Sequence, residues 1–338
     1  MMELVTGGSG SGKSAYAEER ICCLHSQARR ERVPGQGAVP LYYIADMIPY
    51  GRETEEKIEN HRKMRAGRGF YTLEWYLDLP GKLKDSRSPS MEGSCTLLEC
   101  VSNLAANEMY EPEGAGADTV ERVAQGVYML RERCAHLVVV TNDVFRESEP
   151  DSEEMARYKE YLGAINCRLA QMADRVTEVV YGIPVRVKGA ETAKDAETMK
   201  SAEIETGKRG DRHMVIVTGG AYQGKYRYAG QITSEGTEWA DGALCPLDRI
   251  SSCGAIDHFH LFIRRWMQSG RSPKDLTDQI LRENRDLLIV CDEIGCGLVP
   301  TDAFEREYRE AAGRICTELA KHADEVHRVT CGAGVRIR

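Results

Sequence analysis

The chain has 338 residues and a formal net charge of −8, with 45 Lys and Arg against 53 Asp and Glu, so it lacks the basic excess of a general nucleic-acid binder. That length suits two domains, each able to bury its own core, and no apolar stretch approaches the ~18 residues of a membrane span. The twelve cysteines are scattered, several in apolar runs, without a Cys-x-x-Cys pair, the usage expected of reduced thiols rather than of a disulfide framework or zinc site.

The first element predicted is a strand over 2–6, which opens the chain where a signal peptide would carry a charged segment and a long apolar one. A cytoplasmic location is expected from this. The strand runs into Gly7-Gly8-Ser9-Gly10-Ser11-Gly12-Lys13-Ser14, the Gly-x-x-x-x-Gly-Lys-Ser pattern of a phosphate-binding loop. Its glycines let successive N–H groups curl around phosphate oxygens with no Cβ in the way. Lys13 would neutralise the terminal phosphates, Ser14 would ligate Mg²⁺, and a helix predicted over 14–30 would point its positive end at the same anion.

Further on, strands are expected at Leu41–Ala45, Cys95–Cys100 and Leu137–Thr141, and helices at 53–65, 101–109, 119–135 and 153–173. Val176–Val180 and Val185–Val187 form a closing hairpin around Gly182-Ile183-Pro184. Glu99, at the end of an apolar strand, is the candidate second acid for Mg²⁺ or its waters; a solvated strand-end Glu is the other reading. Helix 53–65 carries His61 among Lys57, Arg62, Lys63 and Arg65. Such cations would keep the imidazole neutral and nucleophilic and would attract a triphosphate. From the residues alone, a solvated basic face with an incidental histidine is the favoured reading of this segment.

The chain is then written a second time. Val5-Thr-Gly-Gly through Tyr16-Ala17 returns as Val217-Thr-Gly-Gly through Tyr228-Ala229, and residues 162–188 match 312–338 without a gap. The phosphate loops are offset by 212 positions and the later segments by 150, so the second copy is 62 residues shorter between them. The expected organisation is a first domain at 1–188, a polar linker at 189–212 and a shortened second copy at 213–338. Each should be an α/β unit like a P-loop NTPase: a mainly parallel sheet with helices on both faces, ligands at the carboxyl strand ends, and a C-terminal antiparallel hairpin.

Taken together, the opening Leu-Val-Thr-Gly-Gly loop, Tyr43-Ile44-Ala45, Ile58…His61…Arg65, Leu98-Glu99-Cys100…Asn107, Asn142-Asp143-Val144 and Ala173-Asp174…Gly182…Val185 resemble a known family. It is the bifunctional adenosylcobinamide kinase/adenosylcobinamide-phosphate guanylyltransferase family of cobalamin biosynthesis. The resemblance spans 1–188 and, in eroded form, 213–338. It implies ATP and GTP as substrates with Mg²⁺, and a small corrinoid, adenosylcobinamide, as acceptor. The triphosphate's γ-phosphoryl group goes to the cobinamide hydroxyl. A histidine, His61 by position, then attacks the α-phosphorus of GTP and hands GMP to the cobinamide phosphate through a guanylyl-histidine.

By the same correspondence, nucleotide contacts fall on Gly7, Gly8, Ser9, Gly10, Ser11, Gly12, Lys13 and Ser14. Further contacts fall on Ala45, Asp46, Met47, Arg62, Lys63, Met64, Arg65, Glu74 and Glu99, with Ser14 and Glu99 as metal ligands. Asp46-Met47 replace small hydroxylated residues of the family, which sets a carboxylate beside phosphates. Phe145-Arg146-Glu147 replace a Gly-x-Gly loop. The second copy keeps that loop as Gly295-Cys-Gly297 but has Tyr226 where Mg²⁺ needs a short hydroxyl, and it lacks any counterpart of the His61 segment. Asp257 stands as its remnant of the Glu99 position. His258 and His260 read as structural.

These complementary losses suggest that the second copy packs beside the first and supplies the Gly295–Pro300 loop to a shared site; support of the fold alone is the alternative. The family also leaves homo-oligomers and intramolecular pairing of the copies open. A single-activity kinase and a nucleotide-binding regulator without turnover are the competing functions.

Overall fold

The computed structural model describes residues 1–31, 37–49, 51, 55, 58–59, 62–63, 67–146, 152–189, 213–297, 300, 302–330 and 332–338. The first copy begins with β1 (Met2–Thr6), α1 (Lys13–Glu31), β2 (Leu41–Ala45), β3 (Tyr71–Glu74) and α2 (Leu79–Lys84). It continues with β4 (Cys95–Glu99), α3 (Val101–Tyr110), α4 (Thr119–Arg133), β5 (His136–Val140), α5 (Glu153–Met172) and the hairpin β6 (Arg175–Val180) and β7 (Ile183–Lys188). The sheet order is β3-β2-β4-β5-β1-β6-β7, parallel throughout except for the β6–β7 pair. β4 and β5 are apolar runs because both faces of a parallel sheet are covered. One face packs with Leu98, Leu104, Val127 and Leu162, the other with Ile21, Leu24, Leu97 and Val138.

The second copy comprises β8 (Val215–Gly219), α6 (Lys225–Ile232), β9 (Trp239–Asp241), β10 (Ala255–Asp257), α7 (Phe259–Gln268) and α8 (Pro273–Glu283). It ends with β11 (Leu288–Asp292), α9 (Ala303–His322), β12 (Glu325–Thr330) and β13 (Ala333–Arg336). Its order, β13-β12-β8-β11-β10-β9, repeats the first sheet strand for strand, except that among the described residues it has no equivalent of edge strand β3. The duplication is therefore visible in topology as well as in sequence. The hairpin also meets the phosphate loop in the same way twice: Gly182 N–H donates to Ser11 O at 2.7 Å, and Gly332 N–H to Gln223 O at 2.9 Å.

The strands expected from sequence form within a residue or two of the stated bounds. Two elements of the first copy had not been anticipated. β3 is only four residues long with a single buried side chain, Leu73, so it lacks the apolar run that marks an inner strand. α2 is six residues long and is capped by the preceding Asp78, whose carboxylate accepts from Gly81 N–H. Of the expected helix 53–65, the described residues Glu55, Ile58, Glu59, Arg62 and Lys63 have helical backbone; His61, Met64 and Arg65 lie outside the described residues, as do 190–212 of the expected linker.

The copies share a core. Tyr181, at the end of β6, is buried in the same apolar cluster as Ile216, Ile289, Ala312 and Cys316 of the second copy. Its phenol accepts a hydrogen bond from Thr218 Oγ1 at 3.1 Å. Burial pushes the Tyr181 hydroxyl well above its usual range.

Candidate nucleotide site

β1 lies between β5 and β6, so Gly7–Ser14 emerges at the carboxyl end of the sheet, where open α/β folds bind ligands. Gly10 and Gly12 have φ of +70° and +87°, values at which a side chain would be strained. The loop folds on itself through Ser11 N–H to Gly8 O at 3.2 Å. Lys13 is buried, and its ammonium donates to the same Gly8 carbonyl at 3.0 Å. Burial lowers the Lys13 pKa, against the opposing charge of Cys100 and Glu99. A phosphate arriving in this loop would relieve that desolvation, which is why such a lysine binds anions tightly.

Three of the sequence-predicted residues lie in one register row at the same edge, since Ala45 on β2 pairs with Glu74 on β3 and with Glu99 on β4. Glu99 is buried, and its Oε2 accepts from Tyr43 Oη at 3.0 Å. Glu74 is half-exposed and paired with Arg62 at 2.8 Å, so this unanticipated strand fastens the basic segment to the sheet edge. Lys63 faces Glu59 at 3.9 Å. Met47 is half-buried next to Asp46.

Asp46 is not the exposed negative charge that its position suggested. It is fully buried; its Oδ1 accepts from Cys100 N–H at 2.7 Å, and burial raises its pKa well above the usual carboxylate range. Burial disfavours its charged form, which lessens the repulsion expected beside phosphates. Asn107 holds this corner by donating to Asp46 O at 2.8 Å and to Tyr76 O at 3.0 Å. Sequence reasoning had noted Asn107 without a role. Beside it, Cys100 Sγ meets Ser102 Oγ, to which Asn142 donates at 2.7 Å.

The donor set suits a hard divalent cation. Asp46 Oδ2 is buried without a hydrogen-bond partner among the described residues, Glu99 lies close enough to raise its pKa, and Ser14 opens α1 beside Lys13. Oxygen donors of this kind match Mg²⁺.

The second loop is differently disposed. Lys225 Nζ donates to Gly220 O at 2.6 Å, as its counterpart does, but it also pairs with Asp292 Oδ1 at 2.7 Å. Asp292 stands where the first copy has Asn142, so one carboxylate already occupies the ammonium a phosphate would need. Tyr226 turns onto Trp239, ring centroids 4.9 Å apart. His258 Nδ1 lies 3.1 Å from the Asp241 carboxylate, and the buried His260 carbonyl accepts from Tyr308 Oη at 2.8 Å.

The loop retained by the second copy lies on the first copy's phosphate loop. Ser9 N–H donates to Gly295 O at 2.7 Å and Arg146 N–H to Cys296 O at 3.0 Å. A cavity of about 30 Å³, room for roughly one water, lies between them, lined by Ser9, Ser11, Tyr181, Glu293 and Gly313 among others. Next to it an ionic cluster crosses between the copies. Arg146 donates to Glu293 and Glu178, both at 2.5 Å, and Arg328 clasps both Glu178 oxygens at 2.5 and 2.8 Å. Burial would raise the Glu178 pKa, but the two arginines hold it below its usual value. Glu293 has the same arginines, yet burial dominates and raises it.

The sequence matches the family described as cobinamide kinase / cobinamide phosphate guanyltransferase over residues 3–187 and again over 255–337. The chain belongs to this family. It is 30% identical over 199 residues to the bifunctional adenosylcobalamin biosynthesis protein CobU of Escherichia coli K12, covering all of that protein and 56% of this chain. The CobU protein of Salmonella typhimurium LT2 gives 30% over 200 residues, again along its full length. The related CobP of Pseudomonas aeruginosa PAO1 gives 29% over 189 residues and 98% of its length. Both matched family segments fall on the two sheets. Among the described residues, no helix is long and apolar enough to cross a membrane.

Proposed function

We propose that the first copy, 1–188, phosphorylates adenosylcobinamide with ATP or GTP and then caps the phosphate with GMP from GTP, working in the cytoplasm. Under this reading 189–212 is a linker and 213–338 a copy without its own nucleotide chemistry. The observation that carries the proposal is a buried Lys13, without an ion pair among the described residues, in a folded Gly7–Ser14 loop near the acidic corner at Glu99. Family membership supplies the reaction class. Backbone N–H groups of Gly10–Ser14 and the Lys13 ammonium bind and orient the phosphates. Ser14 and Glu99 would hold Mg²⁺, which when bound neutralises phosphate charge.

In the second reaction a nitrogen of the neutral His61 imidazole forms a bond to the α-phosphorus, and the bond to the bridging oxygen breaks as pyrophosphate leaves. Arg62, Lys63 and Arg65 stabilise the charge that develops there. The cobinamide phosphate oxygen then displaces the imidazole, which returns uncharged. Ala45, Asp46, Met47, Met64 and Glu74 would line the nucleotide. Asp292 on Lys225 and Tyr226 on Trp239 support a second loop that binds no triphosphate.

Mass spectrometry of cobinamide incubated with the protein, ATP, GTP and Mg²⁺ tests the proposal. The expected product carries phosphate and then GMP. A corrinoid that is phosphorylated but never capped would reduce the chain to a kinase, and an unmodified one would remove both activities.

A further inference from the structure

The helix of the second copy that lies against the first copy's phosphate loop has no announced role, and its contacts are backbone-close. A Cβ on Gly313 of α9 would stand 2.6 Å from Ser9 O and 2.8 Å from Gly10 Cα, and one on Gly10 would stand 2.8 Å from Glu310 O. Two glycines, one in each copy, thus let a helix backbone and a loop backbone touch. One turn along, Thr317 Oγ1 donates to Gly10 O at 3.0 Å. The peptide whose carbonyl Thr317 holds is the one whose N–H, on Ser11, donates to Gly8 O. That Gly8 carbonyl is also the acceptor for Lys13 Nζ. One hydroxyl of the second copy therefore fixes the turn on which the phosphate-binding lysine rests.

The arrangement is not reciprocal. The residues of the first copy equivalent to Gly313 and Thr317 are Gly163 and Cys167. Among the described residues, a Cβ on Gly163 would meet the Phe145 ring alone, at 3.6 Å, and Cys167 is exposed. The tip of the second phosphate loop, Tyr222, is 99% exposed. A glycine within a helix is less favourable than alanine, and at Gly313 it secures the close approach of the two backbones.

We infer that α9 of the second copy is a built-in brace for the first copy's nucleotide site, with Gly313 and Thr317 as positioning residues that hold the phosphate loop in its anion-binding shape before the triphosphate arrives. This rests on the proposed assignment of Gly7–Ser14 as the nucleotide site, and it goes beyond it by giving the degenerate copy a task. A loop ordered in advance loses less freedom on binding, so its affinity is higher. The brace should therefore appear in nucleotide affinity and KM more than in kcat.

Full-length protein with Thr317→Val, Thr317→Ser, Gly313→Ala or Gly163→Ala is titrated with a fluorescent GTP analogue and Mg²⁺, and KM and kcat for phosphoryl transfer are measured. Loss of one neutral hydrogen bond predicts that Thr317→Val weakens binding about five-fold, with KM rising in step and kcat little changed. Thr317→Ser, which keeps the hydroxyl, should bind as the unaltered protein does. Gly313→Ala should weaken binding by about ten-fold or more, since the loop has to move away from the new Cβ, whereas the matched Gly163→Ala should not. Should Gly313→Ala fail to fold, the threonine pair decides. Unchanged binding in Thr317→Val, or equal losses in Thr317→Val and Thr317→Ser, overturns the brace. If the unaltered protein binds neither ATP nor GTP, the nucleotide-site assignment fails first and the brace falls with it.

Discussion

Replacing Arg328 by methionine tests whether the copies are energetically one body. Arg328 grips both oxygens of Glu178 across the junction, with side chains only 17% and 12% exposed. Removing one member of a buried ion pair costs about 3–5 kcal/mol when the other is left alone. Here Arg146 remains on Glu178 at 2.5 Å, so a loss of about 2 kcal/mol at neutral pH is expected. The sign with pH follows from the Glu178 carboxyl, which the arginines hold below its ordinary 4.5. A depressed pKa contributes stability above the unfolded value and loses it as pH falls through the folded one. The gap between the two proteins should therefore be full above pH 4.5 and close below it.

Urea unfolding reads this through tryptophan, with Trp75 in the first copy and Trp239 and Trp266 in the second. Arg328→Met with Trp75→Phe, compared with Trp75→Phe alone, isolates the second copy's signal. A loss under about 0.5 kcal/mol at pH 7, the range of an ordinary surface change, would refute the reasoning. So would a loss that persists unchanged into acid.

Lys13→Met should abolish binding of ATP and GTP in equilibrium titrations, whereas Lys225→Met should leave it unaltered because Asp292 already occupies that ammonium. In metal-free protein, Asp46→Asn should gain stability relative to the unaltered chain as pH rises above the ordinary carboxyl value of 3.8. A raised folded pKa gives stability that is complete below that value and is lost as the pH climbs; thermal unfolding at pH 4, 6 and 8 measures the trend. Chelating divalent cations should stop phosphoryl transfer, and added Mg²⁺ should restore it, as a coupled assay for nucleoside diphosphate would show.

Much of this architecture was legible in the chain because buried parallel strands announce themselves as apolar runs: Cys95–Glu99 and His136–Val140 are inner strands. The strand carrying Glu74 was not, since an edge strand with one buried residue has no such run. The duplication could be read from repeated glycines, and Gly163/Gly313 was among the matches, yet identical letters concealed different surroundings. Gly313 touches a phosphate loop and Gly163 an aromatic ring. A glycine inside a helical pattern is itself a signal of close backbone approach, but the partner it approaches belongs to the tertiary structure. Asp46 shows the same limit, because its letter suggests an exposed charge and only the structure shows a carboxyl whose burial raises its pKa. The exchange of Asn142 for Asp292 was visible in the alignment of the copies, whereas its pairing with Lys225 required coordinates.

The central claim, a covalent guanylyl-histidine on the first copy, is tested most directly by incubating the protein with GTP labelled at the α-phosphate. Label that stays on the unaltered protein, labile to acid and stable to base, and that is absent from His61→Ala is the predicted result. A folded, GTP-binding protein that takes up no label, or a His61→Ala variant labelled as strongly as its parent, would contradict it.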